Sequence, residues 1–361
     1  MKFQREQQFP AAGLGSITHP VSVHNEWDQL REVIVGSIDG ARLPDWHSSV
    51  EAVIPAQHHE FFRGRSGTAF PIADVIAAQR ELDGLASYLE RQGIVVRRPE
   101  EVSLTIPIST PFFRVSGGMY HAMPRDSVLI VGNTIIEAPM SWRNRYFETF
   151  AFKKLFKEYS RNGARWIAAP KPSLGDETYV SNRSHAGTDF AVSEFEPVFD
   201  AADFLRLDNI IVGQLSHVTN WSGVRWLQQI LGPEIQIKIF RFDEPAPMHI
   251  DTTLLPLGPG KLMINSDWVK EVPDIFSDWE VRSAPRPIVD NSHPLFLSSA
   301  WLSMNVLVLD ERHVLVEKED KGMIRALAEW GFEPIPLPFK HVQSFGGSFH
   351  CATLDIRRGS D

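Results

Sequence analysis

One cysteine, Cys351, is all that 361 residues contain. An internal disulfide is excluded, so oxidation does not staple this fold. No apolar run reaches the ~18 residues that a membrane span needs. No basic block offsets the net charge of −9, which argues against nucleic acid and anionic membranes as partners. The stretch Met1 to Pro20 carries Lys2 and Arg5 but no apolar core of a secretory signal. Residues 1–22 read as a flexible tail ahead of a single domain over 23–361, and a cytoplasmic location is expected. No Gly-rich phosphate loop opens a helix, so no nucleotide cofactor is expected. Histidines such as His58 and His59 lack the Cys/His spacing of a zinc site, and one thiol is too few for a structural one. No metal is expected.

What is present is ordinary globular material, 43% hydrophobic and 22% charged, enough for a large core. The negative balance suits a cationic substrate. Along the chain runs a coarse repeat of two short strands, a helix and another strand. In its clearest copy, Asn305 to Leu309 and Val314 to Glu317 are strands, Lys321 to Trp330 a helix ended by Gly331, and Phe332 to Leu337 the closing strand. A second copy pairs Val128 to Val131 with Thr134 to Ala138, then a long helix from Ser141 to about Ser160, then Ala164 to Ala168. A third runs from Phe204 through Ile210 to Gln214 and the helix Trp221 to Leu231, closing at Ile235 to Phe240. A fourth has Thr252 to Leu257 and Lys261 to Asn265, with a poorly marked helix. The last is split: Leu30 to Val35, the helix Val75 to Arg91 and Ile94 to Val96 are completed by Ala352 to Ile356. Five such ββαβ modules in a pseudo-fivefold ring, an α/β propeller, are the expected architecture. Periodicity alone equally allows an open α/β sheet.

The repeat gives the polar residues meaning. Asp126, Asp200, the pair His249 and Asp251, the pair Ser298 and Ser299, and Cys351 each stand just before a module strand. If the modules are related by rotation, these positions converge at one mouth. A neutral thiol needs a nearby cation or base to become a nucleophile. His249 can serve as base and acid, with Asp200 orienting its ring. A guanidinium is planar and rich in N–H donors, so facing carboxylates such as Asp126 and Asp251 bind it bidentately. Gly346 and Gly347 let the chain bend before the nucleophile. Each residue also has an ordinary reading: a lone cysteine as a small buried hydrophobe, Asp126 and Asp200 as turn or cap residues. Adjacent strand residues point to opposite faces, so His350 is read as a packing neighbour of Cys351 and not as its base.

With these residues in place, the chain resembles the glycine amidinotransferase family, which includes inosamine-phosphate and related natural-product amidinotransferases, within the pentein superfamily. The likeness runs from His24-Asn25-Glu26-Trp27-Asp28 through Val96-Arg97-Arg98-Pro99, Met123 to Asp126, Ile136 to Met140, Phe199 to Phe204, Met248 to Asp251 and Ser298 to Leu302, ending at Phe349 to Thr353. The resemblance implies Cys351 as nucleophile, His249 as general acid/base and Asp200 as its partner. It implies Asp126 and Asp251 as holders of the guanidino group, and Ser298, Ser299, Tyr120 and Met248 as substrate contacts. One position departs. Where the glycine enzymes have an arginine that clamps a substrate carboxylate, this chain has Trp268, with Lys261 and Lys270 as nearby cations. Ala246 stands where the family has an asparagine.

The implied activity moves the amidino group of L-arginine to an amine, glycine leading, through an amidino-Cys351 intermediate, with no cofactor. A homodimer is what the family suggests. Two other readings stay open: an arginine deiminase-like hydrolase on the same residues, and a non-catalytic binding protein on the same fold.

Overall fold

Five three-stranded sheets share one strand order. The computed structural model describes residues 19–180, 190–287 and 299–359. In every sheet a central strand pairs antiparallel with one neighbour and parallel with the other. Thr134–Glu137 lies between Val128–Val131 and Arg165–Ala168. Ile210–Gln214 lies between Phe204–Leu207 and Gln236–Phe240. Lys261–Ile264 lies between Leu254–Gly258 and Glu280–Ser283, and His313–Glu317 between Leu307–Val308 and Glu333–Leu337. The remaining sheet joins distant segments: Leu30–Val35 pairs antiparallel with Thr353–Arg358 and parallel with Val95–Arg97.

Local sequence explains these elements. The aliphatic run Val128–Val131 turns at Gly132, whose φ of 53° a side chain would oppose. Asn220 caps the helix Trp221–Leu231 by accepting a hydrogen bond from Gly223 N at 2.8 Å. Gly232 ends it at φ 75°. Asp320 caps Lys321–Glu329 in the same way. The longest helix, Ile72–Arg91, buries Val75, Ala78, Leu82, Leu85 and Leu89 on one stripe. The fourth module has only the 3-10 turn Asp274–Phe276 in place of a helix.

One expected element is corrected. The long helix from Ser141 is broken into 3-10 turns, Arg143–Arg145 and Glu148–Phe152, before regular helix begins at Lys153. The break turns Arg145 and Glu148 inward, where both are almost fully buried.

The antiparallel partner strands are the buried ones. Val128–Val131, Leu254–Gly258 and Leu307–Val308 are buried throughout, whereas the parallel strands Arg165–Ala168 and Glu280–Ser283 are partly exposed. Each sheet therefore has an inner and an outer edge. Residues 1–18 of the expected tail lie outside the described residues. Val21 is buried, and Ser22 N donates to Ile356 O at 2.8 Å, so the fold takes in the stretch just before residue 23. Val23 then bridges Gly132, and Asn25 bridges Leu207, tying three sheets together.

Ionic groups occupy the middle of the structure. Glu26, Arg125, Arg206, Asp355 and Arg358 are all buried. Arg206 Nη2 lies 2.7 Å from Glu26 and 3.1 Å from Asp355, and Arg125 Nη2 lies 2.8 Å from Asp355. Removing one member would strand a buried charge, so the group is kept or lost as a set. No helix among the described residues is long and apolar enough to cross a membrane.

Candidate active site

Cys351 opens the turn into Thr353–Arg358 and is 1% exposed. Glycine is required behind it. A Cβ at Gly347 would come within 2.5 Å of the Met123 sulfur and 2.9 Å of the Cys351 Cβ. Asn305 grips the cysteine twice: its Nδ2 donates to Sγ at 3.1 Å and its Oδ1 accepts from the Cys351 backbone N at 3.0 Å. The thiol itself donates to Asp251 Oδ2 at 3.4 Å.

His249 begins the 3-10 turn Ile250–Thr252 with φ at 65°, a region unfavourable to a side chain. Its backbone N donates to Asp203 Oδ1 at 3.0 Å. Asp203 is itself fixed by Ser216, Thr219 and Gln214. The ring faces Asp200 Oδ2 through Nε2 at 3.1 Å and Asp126 Oδ1 through Nδ1 at 3.7 Å. Asp126, on the short helix Pro124–Ser127, accepts from Arg145 Nη1 at 2.9 Å. Arg145 in turn is held by both oxygens of Glu148 at 2.6 Å and lies over the Tyr120 ring.

The electrostatics follow from burial and these neighbours. Burial, with the Asp251 and Asp126 carboxylates, pushes the Cys351 thiol up to about 12; the His249 contact only partly offsets this. Burial acts to lower His249. Asp126, Asp200 and the Cys351 sulfur outweigh it and hold the imidazole well above its usual range. At neutral pH the pair is thus a protonated thiol beside an imidazolium. Burial also raises Asp126, whereas hydrogen bonds from His350 and Cys351 and the charge of His249 overcome burial to lower Asp251.

Asp126 Oδ1, Asp251 Oδ1 and Asp200 Oδ1 are buried and have no hydrogen-bond partner among the described residues. An unsatisfied buried carboxylate oxygen is costly. Two of these three residues, Asp126 and Asp251, line one narrow pocket with Tyr120, Met248, His249 and Cys351. Asp200 stands behind His249.

Of the remaining residues singled out from sequence, Ser298 lies outside the described residues. Ser299 caps the 3-10 helix Ala300–Met304 through a 3.0 Å bond from Trp301 N and is not among the residues lining the pocket. Trp268 packs edge-on against Trp301 at 6.1 Å and does not line it either. Lys261 is engaged with Trp330 O and the Phe332 ring, and Lys270 with Ser266 O, so neither cation is directed at the pocket.

The reading of His350 as a packing neighbour is corrected. Its Nδ1 meets Asp251 Oδ2 at 2.7 Å and its Nε2 meets Glu26 Oε2 at 3.2 Å. The alternation rule fails because residues 350 and 351 sit in the turn ahead of the strand, which starts at Thr353. Asn305 and Arg145 were also missed. The sequence reading makes Asn305 the first residue of a strand, whereas that strand begins at Leu307 and leaves Asn305 in the turn ahead of it. Arg145 was hidden by the helical spacing around it. Among the described residues, Asp126, His249 and Cys351 are also the group whose donor atoms, within 4.8 Å of one another, could hold a metal ion. Three donors are one short of a closed zinc site.

No protein-family model matches the chain. It is 50% identical over 345 residues to an L-arginine:L-lysine amidinotransferase of Pseudomonas savastanoi pv. phaseolicola, covering 94% of this chain and 95% of that protein. It is 42% identical over 351 residues to the mitochondrial glycine amidinotransferase of Xenopus tropicalis, covering 94% of this chain and 83% of the relative. The solved structure of SxtG, an amidinotransferase of the saxitoxin biosynthetic pathway from Microseira wollei, superposes with a TM-score of 0.87 at 45% identity, covering 95% of this chain and 98% of that one. These likenesses extend along 94% of this chain or more and from 83% to 98% of the relatives, and with them the chain is shown to belong to the amidinotransferases of the pentein superfamily, as a transferase.

Proposed function

We propose that this enzyme moves the amidino group of L-arginine to an amine acceptor by way of a covalent amidino-Cys351 intermediate. The observation that carries the reading is the pair of carboxylate oxygens that lack a hydrogen-bond donor among the described residues, Asp251 Oδ1 and Asp126 Oδ1, the latter 3.7 Å from His249 Nδ1, on residues that line one pocket with Cys351. A guanidinium offers N–H donors in a plane to both. Its positive charge also offsets the two carboxylates that raise the thiol, so donor binding favours the thiolate, and the thiol proton leaves to solvent.

The thiolate attacks the guanidino carbon. The C–N bond to the ornithine nitrogen breaks as the His249 imidazolium gives that nitrogen its proton, and ornithine departs. The amidino group stays on sulfur and His249 is left neutral. An amine then enters, gives a proton to His249 and attacks the same carbon. The C–S bond breaks, and thiolate and imidazolium are restored. Asp200 holds the ring through Nε2 in both halves. Every charge comes from the substrates and these side chains.

For the acceptor, L-lysine takes the lead over the glycine suggested by the sequence. The relative at 50% identity carries lysine in its name, the one at 42% glycine. With Trp268 packed on Trp301, the carboxylate clamp of the glycine enzymes is not reproduced at that position. The same proposal includes a closed pseudo-fivefold ring of the five sheets, supported by their common strand order and buried inner strands. It also includes Ser298, Ser299 and Trp268 as residues that meet substrate during turnover, a single domain that takes in Val21 and Ser22 ahead of residue 23, a cytoplasmic location and a homodimer.

The test is incubation with arginine, with and without lysine, glycine, 4-aminobutyrate, ethanolamine and aminocyclitols. Ornithine that accumulates only with an acceptor, and one amidino group on Cys351 in mass spectra without one, are expected. Sustained citrulline from arginine alone would make the enzyme a hydrolase.

A further inference from the structure

We propose that His350 is a positioning residue for the donor-binding carboxylate Asp251, clamped between it and the buried Glu26. The proposal rests on the arginine-donor reading above.

Asp251 has two oxygens in different circumstances. Oδ2 takes hydrogen bonds from His350 Nδ1 at 2.7 Å, from Asn305 Nδ2 and from the Cys351 thiol at 3.4 Å. Oδ1 takes none. A carboxylate tied through one oxygen to three donors cannot rotate, so its second oxygen keeps a fixed aim. His350 is the one ionisable donor on that oxygen whose other end is anchored away from the pocket, 3.2 Å from Glu26 Oε2. Glu26 is gripped by Arg206 through Nε and Nη2, each at 2.7 Å, and by Arg125 at 3.3 Å. Arg125 Nε also holds the His350 carbonyl at 2.7 Å. The imidazole is thereby fixed from behind, and the aim of Asp251 is set by the ionic centre of the protein. Each ring nitrogen faces a carboxylate oxygen.

Two variants separate positioning from packing. Asparagine puts a side-chain nitrogen near the place of Nδ1, and glutamine near the place of Nε2. His350→Asn keeps the donor to Asp251 and gives up the one to Glu26; His350→Gln does the reverse. With arginine as donor and a saturating acceptor, His350→Gln is expected to raise the arginine KM at least about tenfold, the scale of one charge-assisted hydrogen bond. His350→Asn should stay within about threefold of wild type by the same measure. The acid limb of kcat/KM for arginine should move to higher pH in both variants, because both remove the His350 charge, and further in His350→Gln, where Asp251 also loses a donor that favours its ionised form. The groups facing Asp251 are His350, Cys351 and His249; those facing His350 are Asp251 and Glu26, the latter backed by Arg125 and Arg206.

A purely structural role predicts that both variants lose thermal stability and activity together, without a KM split, and that outcome overturns the proposal. So does an unchanged KM and acid limb in His350→Gln. If neither variant folds, proton–nitrogen NMR of the histidine-labelled wild type decides. A His350 Nδ1–H signal that shifts on addition of arginine supports the role, and a ring with no proton on Nδ1 overturns it. Wild-type enzyme that makes no ornithine from arginine with any acceptor overturns the donor reading and this proposal with it. Ornithine formation by wild type and by His350→Gln at the same KM overturns this proposal alone.

Discussion

Asn305 holds the Cys351 sulfur at 3.1 Å with its amide nitrogen and the Cys351 backbone N at 3.0 Å with its amide oxygen. One side chain thus fixes both the position of the nucleophile and the direction of its thiol. Asn305→Ala should lower kcat about 10- to 100-fold, the range of one hydrogen bond to a charged group, because the thiolate loses a donor. Asn305→Asp should cost more, since it sets a further carboxylate against the thiolate. Single-turnover ornithine release at saturating arginine measures both.

The thiol is raised to about 12 by burial and by Asp251 and Asp126. Alkylation of Cys351 by a small neutral reagent should therefore be slow at pH 7 and climb about tenfold per pH unit without a plateau below pH 9. Asp126→Asn removes one of the raising charges. The thiolate then forms at lower pH, so alkylation at pH 8 should speed up while arginine binding weakens. A slower reaction in the variant would contradict the assigned sign.

Arg145 sits between Glu148, at 2.6 Å from both oxygens, and Asp126 at 2.9 Å. Arg145→Met leaves two buried carboxyls facing each other and should cost about 3–5 kcal/mol. Burial already raises Glu148 to about 7. Without the guanidinium both carboxyls should rise further, so the lost stability should be partly regained on acidification. Urea unfolding at pH 8 and pH 6 reads the difference.

His249 occupies φ 65°. His249→Gly and His249→Ala both remove the catalytic ring, but only glycine adopts that backbone freely. The glycine variant should be more stable than the alanine variant by about 1 kcal/mol, with neither showing transfer. Equal melting temperatures would mean that the backbone at 249 relaxes once its side chain is gone.

Much of this was legible because strands and turns are written locally. Val128–Val131, Ile210–Gln214 and Trp221–Leu231 fall where the repeat of strand, turn and helix puts them. The long helix from Ser141 was misread because Arg145 and Glu148 keep helical spacing while a tertiary contact, the ion pair with Asp126, overrides it. Cys351, His249, Asp126 and Asp251 line one pocket, and the repeat and the family resemblance both mark their positions. Asn305 and His350 act on the site through other protein groups, and hydrogen-bond partners so distant along the chain leave no periodic trace. Trp268 was conspicuous by departing from the family pattern, and its packing on Trp301 belongs to the three-dimensional arrangement alone.

The sheet formed by residues 30–35 and 353–358 has a consequence for synthesis. Its antiparallel partner, and the nucleophile just before it, emerge from the ribosome more than three hundred residues after the strand that awaits them. So long a wait makes the contact among the slowest to form. A nascent chain can assemble the intervening sheets as they appear, yet residues 30–35 stay without their antiparallel partner until the end. Premature termination anywhere upstream therefore yields a product that lacks both Cys351 and the strand that pairs with residues 30–35, and under the proposed mechanism such a product takes no amidino group from arginine.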